Sequence, residues 1–188
     1  MTASALRTQI ERAARSILGG GLVAYPTESV FGLGCDPANE RAVNALLTLK
    51  QRSPQQGLIV VVADEQQLSG WVDEDPQWLE RARPTWPGPT TWIFPKGPKA
   101  PTWICGEHDG IAVRVSSHPV AHALAAFVGH PIVSTSANVH GEPALTTPEA
   151  VQQRLGDALE VVIHAPVGGR DRPSEIRDVK TNKVVRHG

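Results

Sequence analysis

The first segment with chemical potential, residues 25–36, combines hydroxyl side chains with two glycines directly after a short apolar stretch. Such a composition lets a ligand approach backbone amides closely. The segment matches neither a Walker A loop nor a GxGxxG dinucleotide-binding pattern, and a purely structural turn is the alternative. It therefore predicts a loop between a strand and a helix that could contact a ligand.

Lys50 and Arg52 lie where a predicted helix ends, and cations at that position have two possible roles. They complement the negative end of the helix dipole, or they bind phosphate, to which Lys brings a point charge and Arg a planar fork. Residues two apart do not share a helix face. Both can therefore reach one polyphosphate only if the helix ends between them.

Residues 134–138 read Ser-Thr-Ser-Ala-Asn, directly after a short predicted strand formed by Ile132 and Val133. Their hydroxyl and amide groups form a dense set of neutral donors and acceptors. This set could hold a hydroxylated substrate and phosphate oxygens without fixing a net charge. A solvated turn is the alternative.

Arg114 stands between two valines on a predicted strand, where a guanidinium is costly to bury unless it meets an anion. The anion is either a protein carboxylate or a carboxylate or phosphate of the substrate. A late glycine-rich segment, residues 168–176, has the composition of a mobile loop that contacts phosphate.

Several other chemistries lack support in the sequence. There is no GxSxG nucleophile elbow. His118 and His122 have the spacing of a helical metal pair, but Pro119 follows His118 and no Glu completes the set, so no metal site is predicted. Because no general base stands out, the sequence favours catalysis by positioning and by stabilisation of phosphate charge.

The composition is that of a globular protein with many shaped loops. The 188 residues carry 18 Lys and Arg against 19 Asp and Glu, a net charge of −1, which excludes a uniformly basic nucleic-acid binder but permits a local basic patch. No signal peptide and no membrane span are expected. Cys35 and Cys105 are expected to be buried thiols, and the cytoplasm is the expected location.

Hydrophobic spacing predicts helices alternating imperfectly with strands, and hence one α/β (mixed α+β) domain over residues 1–188. A twisted mixed sheet with helices packed on it is expected. The five tryptophans, all between Trp71 and Trp103, indicate an aromatic cluster or, less directly, a platform for base stacking. Helices are predicted over 4–18 and after Asn39, Pro119 and Thr147, and strands over 22–25, 57–63, 92–94, 111–115, 132–133, 160–163 and within 175–185.

Taken together, the order and spacing of these segments resemble the YrdC/TsaC-type threonylcarbamoyl-AMP synthases, in a short bacterial form without an additional C-terminal domain. The resemblance runs from about residue 6 to the C-terminus. It is carried by the motifs Tyr-Pro-Thr-Glu-Ser-Val-Phe-Gly-Leu-Gly-Cys-Asp (25–36), Lys-Gln-Arg (50–52), Trp-Pro-Gly-Pro (86–89), Val-Arg-Val (113–115), His-Pro (118–119), Ser-Thr-Ser-Ala-Asn (134–138) and Pro-Ser (173–174).

The resemblance implies a YrdC-like fold with a large concave groove and an enzyme that makes threonylcarbamoyladenylate and pyrophosphate from L-threonine, bicarbonate or CO2, and ATP. Mg2+ accompanies ATP, with no dedicated protein ligand. Partner proteins then transfer the threonylcarbamoyl group to the adenosine beside the anticodon of tRNAs that read ANN codons. RNA binding along the concave face is a further implication.

The resemblance also implies roles for single residues. Thr27, Arg114 and Ser134 would bind L-threonine, and Lys50, Arg52 and Arg114 would act in catalysis. The nucleotide-binding residues would be Lys50, Arg52, Ser136, Asn138 and Ser174.

The chain departs from the family pattern at two places. Val139-His140 follows Asn138 where the family has a serine before the glycine, and Glu175 replaces a threonine after Ser174. These departures leave open a nucleotide-binding regulator without catalysis. An RNA-binding or ribosome-assembly module is the main alternative, and a carbamoyl-adenylate-forming domain of the hydrogenase-maturation type is a third.

Overall fold

One mixed β-sheet runs through residues 2–188, the part of the chain that the computed structural model describes; Met1, where the predicted domain begins, lies outside it. The α-helices are Ala3–Leu18 (α1), Glu40–Lys50 (α2), Pro76–Ala82 (α3), Thr102–Cys105 (α4), Pro119–Val128 (α5) and Pro148–Leu155 (α6). The strands are Val23–Pro26 (β1), Phe31–Gly34 (β2), Ile59–Val62 (β3), Thr90–Pro95 (β4), Gly110–Val115 (β5), Ile132–Ser136 (β6), Val161–Val162 (β7), Glu175–Asp178 (β8) and Val184–Arg186 (β9).

The strands follow the order β7-β1-β2-β6-β3-β5-β4-β8-β9. The pairs β1–β7, β3–β5 and β4–β8 are parallel, and the other neighbours are antiparallel. This arrangement confirms the predicted mixed α/β architecture. It also brings β6 between β2 and β3, so that segments distant in sequence become neighbours.

Helices α1 and α5 pack on the same face of the sheet and begin and end where the sequence predicts. Thr2 caps α1 by accepting a hydrogen bond from the Ala5 amide, and the helix stops at Gly19. Helix α5 begins after His118, whose ring accepts from the Val120 amide, and it ends at Gly129 in the left-handed conformation that suits glycine.

Side chains of β1, β3 and β6 alternate between two hydrophobic clusters. Tyr25, Val61 and Ile132 join the buried residues of α1 and α5 on one face. Val60 and Val133, their sequence neighbours, join α2 and α6 on the other face. Helices therefore cover both faces, as the continuous apolar run of β3 predicts.

The structure corrects two predicted loops. Within residues 25–36, the stretch Phe31–Gly34 is strand β2, paired with β1 and β6. The strand of Ile132 and Val133 continues through Ser136, because Ser134 pairs with β3 and the next two residues pair with β2. Composition hides both strands, because glycine and serine are typical of loops, yet here they belong to a hydrogen-bonded ladder.

The tryptophans have structural roles. Trp71 and Trp92 are buried in the core, and Trp86 stacks on Phe94 with 5.9 Å between ring centres. Both cysteines are free, buried thiols, as predicted, and burial raises the pKa of Cys35 to about 12. Within residues 2–188, no helix is both long and apolar enough to span a bilayer.

Gly34 provides a test of how β2 packs. A Cβ at this position would lie 2.8 Å from a ring carbon of Tyr25 and 3.0 Å from the Val133 carbonyl oxygen. Gly34→Ala is therefore expected to lower the free energy of unfolding by about 1–3 kcal/mol, measured by urea denaturation. Gly19→Ala, whose Cβ would meet nothing closer than 3.3 Å, serves as the control and should change it by less than about 0.5 kcal/mol. Equal effects of the two substitutions would contradict this account of Gly34.

Candidate active site

A cavity of about 790 Å³ opens on the face of the sheet that α1 and α5 cover only in part. Along β6, Ile132 is buried beneath these helices, and Ser134 and Ser136 follow on the same face and line the cavity. Along β3, Val61 is buried with Ile132, and Ile59 lines the cavity. One end of β3 and of β6 is therefore packed in the hydrophobic core, and the other end lines the cavity.

The structure brings most of the predicted site residues to this cavity. Eight residues were assigned to the site from the sequence, and Lys50 and Asn138 are the two that are not on the cavity wall. The six that line it are Thr27, Arg52, Arg114, Ser134, Ser136 and Ser174.

Lys50 lies behind the wall and holds the chain that follows β6. Its ammonium donates to the backbone oxygens of Ser136 and Asn138 and to the side-chain oxygen of Asn138. Helix α2 ends at Lys50 because Gln51 adopts a left-handed conformation, with φ at 51°. The chain thus turns between Lys50 and Arg52, which is the condition for both cations to serve one site.

Burial has a direct consequence for the charge of Lys50. Loss of solvent, and secondly the positive charge of Arg52, lower the pKa of the ammonium to about 8. The Lys50 ammonium therefore loses its proton in a pH range, from about 8 upward, in which an exposed lysine still keeps its proton.

Arg114 meets a protein carboxylate, one of the two anions that its position on β5 predicts. Its Nη2 lies 3.4 Å from Oε2 of Glu28, and both side chains are about nine-tenths buried. Oε1 of Glu28 accepts hydrogen bonds from the Ser116 hydroxyl (2.8 Å) and from the amide and hydroxyl of Ser117 (2.9 and 3.2 Å). Glu28, itself held by these hydrogen bonds, therefore positions the Arg114 guanidinium through the ion pair.

Burial alone raises the pKa of Glu28, but the charge of Arg114 and the hydrogen bonds at Oε1 outweigh it, so the pKa falls below its usual value. Oε2 of Glu28 and Nε of Arg114 are buried without a hydrogen bond. Arg114 lines the cavity, and within the described residues its Nη1 makes no hydrogen bond either.

A third arginine, Arg186, was missed in the sequence. Together with Arg52 and Arg114 it forms a positively charged part of the cavity lining, the basic wall. Arg186 lines the cavity from β9 and donates to the carbonyl (2.8 Å) and hydroxyl (3.2 Å) of Ser174. Burial, and then the charge of Arg114, lower its pKa; burial, and then Arg186, lower that of Arg52. A single arginine near the C-terminus gives no signal in one sequence, because only the sheet brings it to the others.

Thr27 presents an acceptor to the cavity. Its hydroxyl donates to the Val30 carbonyl at 2.7 Å, so the oxygen can accept from a ligand but has no second hydrogen to give. The late glycine-rich segment lies against this turn, since the Gly168 amide donates to the Thr27 carbonyl and the Arg170 amide to that of Glu28. A Cβ on Gly168 would lie 3.0 Å from the Glu28 backbone, which explains the glycine.

The remaining sequence features have structural explanations. Both ring nitrogens of His118 have partners in the fold, since the ring caps α5 by accepting from the Val120 amide and its Nε2 lies 3.2 Å from the Pro166 carbonyl. Glu175 pairs with Arg177 and is not on the cavity wall, so it does not repel an anion there. The His140 amide donates a hydrogen bond to the Lys50 carbonyl. The segment Val139-His140, where the chain departs from the family pattern, is therefore bonded to the end of α2.

Comparisons with known proteins identify the family. The Sua5/YciO/YrdC family model, described as telomere recombination, matches residues 15–188. The threonylcarbamoyl-AMP synthase of Vibrio parahaemolyticus is 45% identical over 181 residues, covering 95% of this chain and 98% of that protein. The chain therefore belongs to the Sua5/YciO/YrdC family.

Solved structures agree on the fold. P. abyssi Sua5 complexed with L-threonine matches with a TM-score of 0.86 at 34% identity, covering 92% of this chain and 51% of that one. E. coli YciO matches with a TM-score of 0.86 at 26% identity, covering 97% and 90%. The chain thus spans about half the length of P. abyssi Sua5, and the predicted YrdC-like fold is confirmed.

The buried pair of Glu28 and Arg114 predicts a stability that depends on pH. Since the pKa of Glu28 is lowered on folding, its contribution is present above the unfolded value of 4.5 and is lost as the pH falls through the folded value. Glu28→Gln should cost about 3 kcal/mol at pH 7, because it leaves Arg114 buried without a counter-charge.

Urea denaturation of both proteins at pH 7 and pH 3 measures this difference, which should shrink at the acid end. Glu65→Gln is the matched control, because Glu65 forms an exposed ion pair with Arg83 and its loss should cost at most about 1 kcal/mol. A Glu28→Gln protein as stable as the original at pH 7 would refute the role assigned to this pair.

Proposed function

We propose that this chain is a threonylcarbamoyl-AMP synthase and that the cavity is where its reaction takes place. It joins L-threonine, bicarbonate or CO2, and ATP into threonylcarbamoyladenylate and releases pyrophosphate. The observation that carries the proposal is convergence, since six of the eight residues assigned from the sequence line one cavity. Threonylcarbamoyl-AMP synthases of V. parahaemolyticus and Pseudomonas putida, at 45% and 46% identity, agree with the predicted activity.

The amino-acid substrate would lie at the end of the cavity formed by Thr27, Ser134 and Arg114. The carboxylate of L-threonine, or the carbamate made from it, suits Nη1 of Arg114. The Thr27 oxygen, which can only accept from a ligand, suits the hydroxyl or the amino group of the substrate. The crystal structure of P. abyssi Sua5 complexed with L-threonine supports this class of ligand.

The chemistry proceeds in two steps. The neutral amine of L-threonine adds to CO2, which forms an N–C bond, releases a proton and leaves a carbamate. A carbamate oxygen then attacks the α-phosphorus of ATP, the bond from that phosphorus to the bridging oxygen breaks, and pyrophosphate departs. Holding the two reactants in line supplies much of the rate enhancement.

The basic wall would stabilise the charge on the triphosphate. Arg52, from the loop after α2, and Arg186, from β9, line the cavity, and Arg186 donates to the Ser174 hydroxyl. Lys50 would add its charge from behind the wall, where it donates to the Ser136 carbonyl. Guanidinium groups match phosphate oxygens in geometry, and a partly buried site strengthens the attraction. The apolar floor, including Ile59, provides a surface for a nucleotide base.

Mg2+ would enter with ATP. The donor set of the cavity fits a magnesium–nucleotide complex because guanidinium groups serve the phosphates, while no group of three His, Cys, Asp or Glu within residues 2–188 forms a ligand set of its own. When bound, Mg2+ would neutralise phosphate charge.

We further propose that partner proteins transfer the threonylcarbamoyl group to the adenosine beside the anticodon of tRNA. The adenylate is an activated acyl donor, so a second protein that presents the nucleotide acceptor must consume it. Since ATP and tRNA meet in the cytoplasm, that is the proposed location. Direct RNA binding through the arginines of the cavity would compete with ATP and belongs to the same proposal.

The decisive experiment incubates the protein with ATP, bicarbonate and labelled L-threonine and looks for the labelled adenylate by chromatography. Formation of the adenylate with one pyrophosphate per product supports the enzyme. Salt-sensitive RNA binding with no adenylate would instead favour the non-catalytic RNA-binding module.

Loss of Arg52 tests the basic wall. Arg52→Ala is expected to lower the rate of pyrophosphate release by about 10²–10³-fold, because one charged phosphate contact in a partly desolvated site is worth roughly 2–4 kcal/mol. Arg83→Ala, which removes an exposed arginine paired with Glu65, is the matched control and should leave the rate unchanged. A normal rate for Arg52→Ala at subsaturating ATP would remove Arg52 from the site.

The lowered pKa of Lys50 predicts how ATP affinity depends on pH. As the pH rises through about 8 the ammonium loses its proton, so the affinity of the free protein for ATP should weaken by about fivefold between pH 8 and pH 9. Calorimetric titration with ATP in the absence of threonine measures this directly. Lys50→Met should bind ATP weakly at both pH values without that change, and a similar decline in Lys50→Met would assign it to another group.

A further inference from the structure

The hydroxyl of Ser174 connects the cavity wall to a buried hydroxyl for which the site gives no other use. Ser174 lines the cavity just before β8, and its Oγ lies 3.2 Å from Oγ1 of Thr91. Thr91 belongs to β4, has no exposed surface and is not on the cavity wall. A hydroxyl buried at this depth is costly unless it is hydrogen-bonded, so its contact with Ser174 is essential to it.

The start of β4 is held on two sides, which fixes the position of Thr91. The Gly88 amide donates to the Val115 carbonyl at 2.9 Å and so ties the chain before β4 to β5. On the other side β4 pairs in parallel with β8, where Thr91 lies opposite Ile176. Thr91 therefore lies beside the segment that leads into β8 and carries Ser174.

The groups around Ser174 determine the direction of the hydrogen bond. A guanidinium only donates, so Nη2 of Arg186, at 3.2 Å, occupies one lone pair of the Ser174 oxygen. Within residues 2–188, Ser174 is the only hydrogen-bond partner of the Thr91 hydroxyl, which has no access to water. If Ser174 were the donor, the Thr91 hydrogen would be buried without an acceptor, which is costly. Thr91 therefore donates, and it occupies the second lone pair of the Ser174 oxygen.

This arrangement makes Ser174 a donor toward the cavity. Because both lone pairs of its oxygen are occupied, the hydroxyl can only give its hydrogen to a ligand. Hydrogen bonds in such a chain polarise one another, which strengthens the last donor. A donor of this kind suits an anionic oxygen, whereas the Thr27 oxygen, which can only accept from a ligand, suits the opposite kind of group.

We propose that Thr91 is a positioning residue for the reaction, because it holds the Ser174 hydroxyl so that its hydrogen is given to an anionic oxygen of a substrate. The inference rests on the proposed function, in which Ser174 belongs to the nucleotide-binding residues. A triphosphate oxygen and the carboxylate of the amino acid share this chemistry. The nucleotide is the expected source, because Arg186, which also donates to Ser174, belongs to the basic wall.

The test replaces Thr91 by valine, which has the same shape but carries a methyl group in place of the hydroxyl. Thr91→Val is expected to lower kcat/KM for ATP in adenylate formation about tenfold, the lower end of the range for a hydrogen bond to a charged group. The loss should lie mainly in the KM for ATP, and a loss in the KM for L-threonine would support the same role with the carboxylate as the anionic oxygen. Thr91→Ser keeps the hydroxyl and should stay within about threefold of the original protein.

A double-mutant cycle separates positioning from damage to the fold. In a Ser174→Ala background Thr91→Val has no hydroxyl through which to act, so it should change kcat/KM by less than about twofold. Equal losses in both backgrounds, or equal losses in Thr91→Val and Thr91→Ser, overturn the inference. Thr8→Val, the same substitution at an exposed position of α1 where the hydroxyl donates to the Ser4 carbonyl, is the control and should leave the rate unchanged.

Ligand binding provides a readout that does not need catalysis. Calorimetric titrations with ATP and, separately, with L-threonine should show that one dissociation constant is about tenfold weaker in Thr91→Val than in the original protein. Unchanged constants for both ligands overturn the inference. Absence of adenylate from the original protein would refute the proposed function, and the titrations would still decide the role of Thr91. If Thr91→Val does not fold, Thr91→Ala, which also lacks the hydroxyl, takes its place with the same expected outcomes.

Discussion

Everything at the site depends on how far two helices extend over one face of the sheet. Helices α1 and α5 bury Val61 and Ile132 completely, but they do not reach the positions two residues further along the same strands. There the same face carries Ile59 and Ser134 and opens into the cavity. Because side chains on one face recur every second residue, a single strand contributes both to the core and to the site.

Charge is the second constraint on the site. Three guanidinium groups, from Arg52, Arg114 and Arg186, line the cavity. The charge of Arg114 helps to lower the pKa of Arg186, and the charge of Arg186 helps to lower that of Arg52, while Glu28 forms an ion pair with Arg114. A chain with a net charge of −1 thus concentrates positive charge at one concave surface. Such a wall is stable only while it remains partly solvated or meets an anion, and a triphosphate with a carboxylate or carbamate beside it meets that need.

Prediction from the sequence succeeded where local physics decides the outcome. The extent of α1, the start of α5 at Pro119 and the apolar run of β3 follow from neighbouring residues alone. Prediction failed where the ladder of the sheet outweighs composition, as at Gly32 in β2 and Ser134 in β6, which resemble loop residues until strands from elsewhere pair with them. Arg186 and Glu28 were missed for a related reason. Arg186 belongs to no motif, and Glu28 belongs to the segment 25–36 but was given no role there; Glu28 acquires its role from Arg114, which is distant in sequence, and Arg186 acquires its role from the segment that precedes β8.

The sequence by itself determined the mixed α/β class, the family and the residue types that could serve a phosphate and a hydroxy-amino acid, because spacing and side-chain chemistry are local properties. Only the tertiary structure decided which of these side chains share a cavity. It set Lys50 behind the wall rather than on it and gave Arg114 its buried counter-charge. Those outcomes depend on strand order and on the partial cover of one sheet face, which arise from contacts between distant segments.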